Sequence, residues 1–358
     1  MNNLTGRVWP LIAEMPPAYF ALVMATGIVS IASHLLGWGS LALTLFWLNL
    51  GLYLTLWCLT LLRLGFYPRQ IWADLRSHTR SVGFFTMIAG TAIVGSQLVI
   101  LVPGGTWAVG LWLLGLALWL FLIYAVFIAL ATQTAKPFLS CGLNGNWLVA
   151  AVSTQSLSIL TCLLVARFPN QREELLFLAL CFFLVGILLA LLIITLIFFR
   201  LLFFQLEPQA FDPSYWIMSG VDAITTFAGG TLVANSQGSQ VLEPIRHVLV
   251  GFTVFFWSTA TWWIPFLVIL MVWRHVVRGV KVAYAPSYWG IVFPLGMYTT
   301  CTLHLAGIIH LGFLLPLAHG FLYIAVAVWF LTFLGMCRSL WQSLGSFSIR
   351  PGNGASSF

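Results

Sequence analysis

Charge is what this chain has least of. Charged residues make up 6% of its 358 positions, against 61% that are hydrophobic. A water-soluble domain carries about one-quarter charged residues, so a soluble globular protein is excluded. Six cysteines (Cys58, Cys141, Cys162, Cys181, Cys301 and Cys337) form no CxxC and no paired spacing. All but Cys141 fall in apolar runs, so neither a disulfide framework nor a zinc site is expected. GxGxxG, GxxxxGK, HExxH and GxSxG are missing, which removes any motif support for an enzyme. The first 16 residues lack a short apolar core with a small-residue cleavage site, so no cleavable signal is expected.

What is present is a series of apolar runs, with a mean hydropathy of +1.02 over the whole chain. Ten are long enough to span a bilayer: 17–37, 41–63, 81–103, 107–132, 147–167, 175–200, 214–234, 247–273, 287–309 and 317–338. The expected organisation is a segment at 1–16, a ten-helix membrane domain at 17–340 and a tail at 341–358. The net charge of +7 is a topology signal rather than a nucleic-acid footprint. With both termini on one side, only Arg167, Arg172 and Arg246 of the 15 Lys and Arg residues fall on the other. That bias predicts cytoplasmic termini in an inner cell membrane. The connector Gly65–Arg80, basic and aromatic, reads as a helix lying on the cytoplasmic surface in contact with lipid.

The spans alternate in kind. Odd spans are rich in small and hydroxylated residues, whereas the fourth and sixth carry almost nothing polar. Odd spans recur every 64 to 73 residues, starting near 17, 81, 147, 214 and 287. A fixed period points to a repeated unit, here a hairpin of one polar inner helix and one apolar outer helix. Five such units predict an all-α membrane fold with an inner ring of odd helices around a central pore. Small residues also allow close packing without lining anything, but that does not explain their segregation. On this reading Thr26, Gly27, Ser30, Thr91, Ser156, Thr226 and Thr299 line the pore.

The stretch Ser287–Ala306 carries the sharpest local signal. Pro294 cannot donate to the carbonyl of Gly290, and its ring crowds it; it also disfavours helical dihedrals at Phe293. A break there, between Gly290 and Gly296, predicts a kinked helix that projects the Phe293 ring and walls a cavity. Thr299, Thr300, Thr302 and His304 follow. Asp222 is the acid placed well inside a span, a functional candidate by default. Two accounts compete for it: a carboxyl bonded to Thr225 or Thr226 of its own helix, or a proton-linked group facing the pore. His34, His304 and His310 suit hydrogen bonding to neighbouring hydroxyls, with haem ligation as the rival account.

With these residues in hand, the chain resembles the tellurite-resistance/dicarboxylate transporter family, to which yeast malate permeases, sulfite exporters and plant slow anion channels belong. The resemblance rests on PPAYFALVMATGIVS at 16–30, SYWGIVFPLGMYT at 287–299 and, more weakly, YWIMSGVDAITTFAGG at 215–230. It implies ten helices as five hairpins around a pore, a homotrimer with one pore per subunit, and a gate at Phe293 beside Pro294. Ala25 departs from the glycine often found there. The expected function is movement of a small anion through this pore, without a metal or other cofactor and without nucleic acid. Proton-coupled transport of a dicarboxylate such as malate, or export of sulfite, is the alternative, and a haem-binding redox protein the remote one.

Overall fold

A computed structural model describes residues 9–346. Among them the secondary structure is entirely helical, and ten helices are long and apolar enough to cross a membrane. We label these α1 (Ala21–Leu35), α2 (Gly39–Phe66), α3 (Phe85–Leu101), α4 (Trp107–Ala131), α5 (Val149–Leu164), α6 (Arg172–Phe203), α7 (Ile217–Ala234), α8 (Arg246–Val272), α9 (Trp289–Ile308) and α10 (Leu315–Ser346). The end segments expected at 1–16 and 341–358 are only partly described; Arg7 and Arg350, used in the charge argument, lie outside the described residues.

Consecutive helices pack in pairs, α1 with α2 through α9 with α10, and the odd helices also touch in a closed cycle, α1–α3–α5–α7–α9–α1. Each even helix leans on the odd helix of the next pair as well, α10 closing onto α1. Burial follows the same division. The odd spans are 72 to 94% buried and the even spans 22 to 44%, which fixes the odd helices as the inner layer. A helix that is apolar on its outer faces and has no water to meet is stable only against lipid, and the even helices are of that kind.

The five inner helices share one further feature. Each is entered through a 3-10 turn: Pro17–Phe20, Ser81–Phe84, Gly145–Leu148, Pro213–Trp216 and Pro286–Tyr288. Proline opens three of the five, where its missing N–H costs nothing and its fixed φ suits the turn. The turns touch in chain order, so all five N-termini gather at one end of the ring. Two approach so closely that only glycine fits: a Cβ at Gly145 would stand 2.0 Å from the Ser214 carbonyl oxygen, and one at Gly83 2.8 Å from the Ala18 nitrogen.

The expected break at Pro294 is not there. Helix α9 runs unbroken from Trp289 to Ile308 with Pro294 inside it. Proline there forgoes one i→i−4 bond, to the Gly290 carbonyl, and the helix continues through it. The helix expected between Gly65 and Arg80 is present at Pro68–Leu75. It is anchored rather than merely resting on a surface: Asp74 meets Arg63 at 2.7 Å and Arg80 at 2.6 Å.

Candidate functional site

Two cavities are lined from all five inner helices, the first bordered by Phe293 and the second by Met297, about one turn further along α9. The first opens at the end where the N-termini gather and holds about 270 Å³. All five inner helices or their entry turns line it, through Met24, Thr86, Val149, Ile217 and Gly290 among others. Its polar rim includes Thr79, Arg80, Asn146 and Ser287, and Phe293 is part of its wall. The second, about 20 Å³, lies deeper and is again lined from all five: Ile28 and Ile31, Ile93 and Ser96, Ser156 and Ile159, Ile224 and Phe227, and Met297. The steps Ile217 to Ile224 and Phe293 to Met297 are one to two helical turns, which sets the second cavity along the same axis. Its volume suffices for about one water molecule. The path is therefore closed.

The Phe293 ring is 2% exposed and rests on Gly220 of α7. A Cβ there would come within 3.3 Å of two of its ring carbons and 2.8 Å from Pro294 Cγ. Gly220 was legible only as one of many small residues in its span; its role as the seat of the ring depends on which face of α7 meets α9.

Of the seven expected lining residues, Ser156 borders the second cavity, and several of the others are bonded toward neighbouring helices. Thr26 accepts from Trp329 Nε1 of α10 at 3.0 Å. Ser30 donates to the Ala42 carbonyl of α2, and Thr91 pairs with the Tyr53 hydroxyl of α2. Gly27 faces Ile93, Asn49 and Gln97. Thr226 and Thr299 are buried and donate to carbonyls of their own helices, those of Asp222 and Leu295.

The contacts of Thr26, Ser30 and Thr91 with outer helices share one cause. Indoles and hydroxyls on outer helices have no partner in lipid, so they turn inward to the next inner helix. Trp112 and Trp119 of α4 donate to Thr161 and Thr154 of α5, and Trp257 of α8 donates to Thr302 of α9. The Thr261 and Tyr298 hydroxyls pair across the same seam at 2.8 Å. The hydroxyls of the odd helices form a polar shell between the two rings, while the axis is mostly isoleucine.

Asp222 belongs to that shell. Its carboxyl lies within hydrogen-bonding reach of Thr259 and Trp263 on α8, and neither cavity includes it. Of the two accounts of Asp222, this position on the α8 side favours a bonded carboxyl, with partners on α8 in place of Thr225 and Thr226: one face of α7 carries Asp222 and Ser219, which donates to the Ala260 carbonyl, and another carries Gly220 and Ile224. His34 and His310 are exposed, and His304 packs edge-on against Phe227. Among the described residues no group of three or more His, Cys, Asp or Glu is placed to hold a metal ion.

The described residues form an all-helical structure with ten helices long and apolar enough to cross a membrane. The chain is a member of the voltage-dependent anion channel family, whose model matches residues 14–337. It is similar to an uncharacterised membrane protein of Mycobacterium tuberculosis, 34% identical over 39% of this chain and 71% of that one. An uncharacterised transporter of Methanocaldococcus jannaschii is 25% identical over 80% and 82% of the two chains. The sulfite efflux pump of Trichophyton rubrum is 25% identical over 91% and 90%. The family description indicates anion transport as the class of activity.

Proposed function

We propose that this protein passes a small anion along the axis of its inner ring, with Phe293 as the gate. The observation that carries this reading is the pair of cavities, each lined by all five inner helices, with Phe293 in the wall of the first and Met297, one turn on, in the second. No lysine or arginine lies along the middle of an inner helix. Attraction comes instead from the outer mouth. Five helix N-termini each present about half a positive charge, and Arg80 adds a whole one. Arg80 shares Asp74 with Arg63, so that cluster keeps a net positive charge.

Beyond the ring an anion meets Ile, Met and Phe side chains, and an apolar constriction excludes water as well as ions. Anions that shed water easily are favoured. Positive-inside asymmetry supports a cytoplasmic position for the gathered N-termini, and in that orientation the wide cavity receives anions from the cell. Sulfite is the first substrate to test, since a fungal relative carries that name; a homotrimer with one path per subunit is the assembly that fits a self-contained ring. Purified protein in liposomes, assayed for chloride, nitrate and sulfite flux, tests the reading. Phe293→Ala is expected to raise flux while the protein keeps its thermal stability. A folded variant with unchanged flux removes Phe293 from the gate.

A further inference from the structure

A third cavity has no place in the axial path. It is an apolar groove of about 520 Å³ on the outer surface, between α8 and α10, within the size range of ligand-holding clefts. Its walls include Ile264 and Val268 of α8 and Ile324 and Val328 of α10, and its floor is Ile291 and Leu295 of α9. Inner helix α9 is thus reached from the lipid side here. Gate residue and groove floor share one helix: Phe293 faces the axial cavity, while Ile291 and Leu295 face outward.

One end of the groove adjoins a basic segment, 274–281. Val282, Tyr284 and Tyr288 close it, with Lys281 exposed beside Val282. Tyr284 is held in place there by the Trp289 indole at 3.2 Å and by contact with Gly335 of α10. Arg274, in the π-helical turn Trp273–Val277, lies within electrostatic range of the Tyr288 hydroxyl. Its Nε and Nη1 are buried yet bond to nothing in the protein. The nearby carboxylate, Asp212, is engaged by the Ser214 amide and hydroxyl. Two buried guanidinium donors without acceptors call for an anionic oxygen.

We propose that this groove binds a phospholipid with an anionic headgroup, one acyl chain lying against Ile291 and Leu295 and the phosphate meeting Arg274 and Lys281. Charge complementarity selects this occupant over a second copy of the chain. A second copy is itself a chain of net charge +7, whereas an anionic headgroup brings the opposite sign to this end of the groove. The chain supplies apolar contact along the groove, and the basic segment supplies the preference for anionic lipid.

Native mass spectrometry of the full protein, released from nanodiscs holding equal phosphatidylglycerol and phosphatidylcholine, tests this independently of the gate. Wild type is expected to retain phosphatidylglycerol over phosphatidylcholine by about tenfold, a difference of the size two charge-assisted contacts supply. Arg274→Gln with Lys281→Gln should erase the preference while the protein stays folded. Val328→Trp, which fills the groove, should lower retention of both lipids with the subunit count unchanged. Equal retention of the two lipids by wild type, or an undiminished preference in the double variant, overturns the proposal. So does a Val328→Trp protein that loses subunits along with lipid, which would give the groove to a second copy. Soluble glycerophosphoglycerol that displaces nothing supports a lipid site; displacement by that headgroup alone would make it a site for a free anion.

Discussion

The two cavities, one bordered by Phe293 and the other by Met297, are built by the same five helices, yet they are chemically opposite. The outer one gathers helix N-termini, Arg80, Asn146 and Ser287; the inner one is six aliphatic or thioether side chains, a phenylalanine and two serines. Moving two turns along a helix exchanges a surface that attracts anions for one that strips their water. Attraction and exclusion are therefore separable along the axis, and each has its own residues to alter.

The largest expected effect comes from removing the ring in the wall of the first. Phe293→Ala should raise anion flux about tenfold or more, equivalent to at least 1.4 kcal/mol of barrier, measured in liposomes with a voltage clamp set by potassium and valinomycin. Next, Gly220→Val should unseat the same ring, because its Cβ meets Pro294 Cγ at 2.8 Å. We expect a severalfold rise in flux that does not add to Phe293→Ala in the double variant, since both act on one contact. Additive effects would show that Gly220 acts elsewhere.

Sharpening the comparison means changing one side only. Arg80→Gln should lower anion flux two- to threefold at low salt, and by nothing measurable near 1 M salt, where the Debye length is about 3 Å. An equal loss at both salt concentrations would make Arg80 a structural residue of the Asp74 cluster. By contrast, Trp257→Phe removes a bond of the polar shell to Thr302 and touches neither cavity. It should cost about 1 kcal/mol of stability with flux unchanged, read by thermal unfolding and by the same liposome assay.

The smallest effect is on pH dependence. Burial pushes the Asp212 carboxyl above the usual carboxylate range, opposed by the Ser214 hydrogen bonds and by Arg274 and Arg200. A raised folded value means the folded state holds its proton longer than the unfolded one. This contribution to stability is present at acid pH and is lost as pH rises from about 4 through the folded value. Asp212→Asn, which keeps the acceptor for Ser214, should flatten that slope in unfolding curves taken from acid to neutral pH.

Much of this architecture was readable beforehand. Ten spans and their inner and outer kinds follow from hydropathy and period. The orientation of individual hydroxyls did not follow. Thr26, Ser30 and Thr91 were expected on the axis and face outer helices instead. An inner helix is buried on every side, so its sequence carries almost no amphipathic signal to say which face meets the lumen.

By itself, then, the sequence determined class and layering, because the cost of exposing backbone or polar groups to lipid leaves few alternatives for such a composition. Tertiary structure decided which side of each inner helix meets the axis. That choice rests on pairs far apart in the chain, Trp329 with Thr26 and Gly220 with Phe293. It also brought Asp222 within reach of Thr259 and Trp263 on α8. A buried polar group takes whichever partner the packing brings within reach, and only the folded ring brings these together.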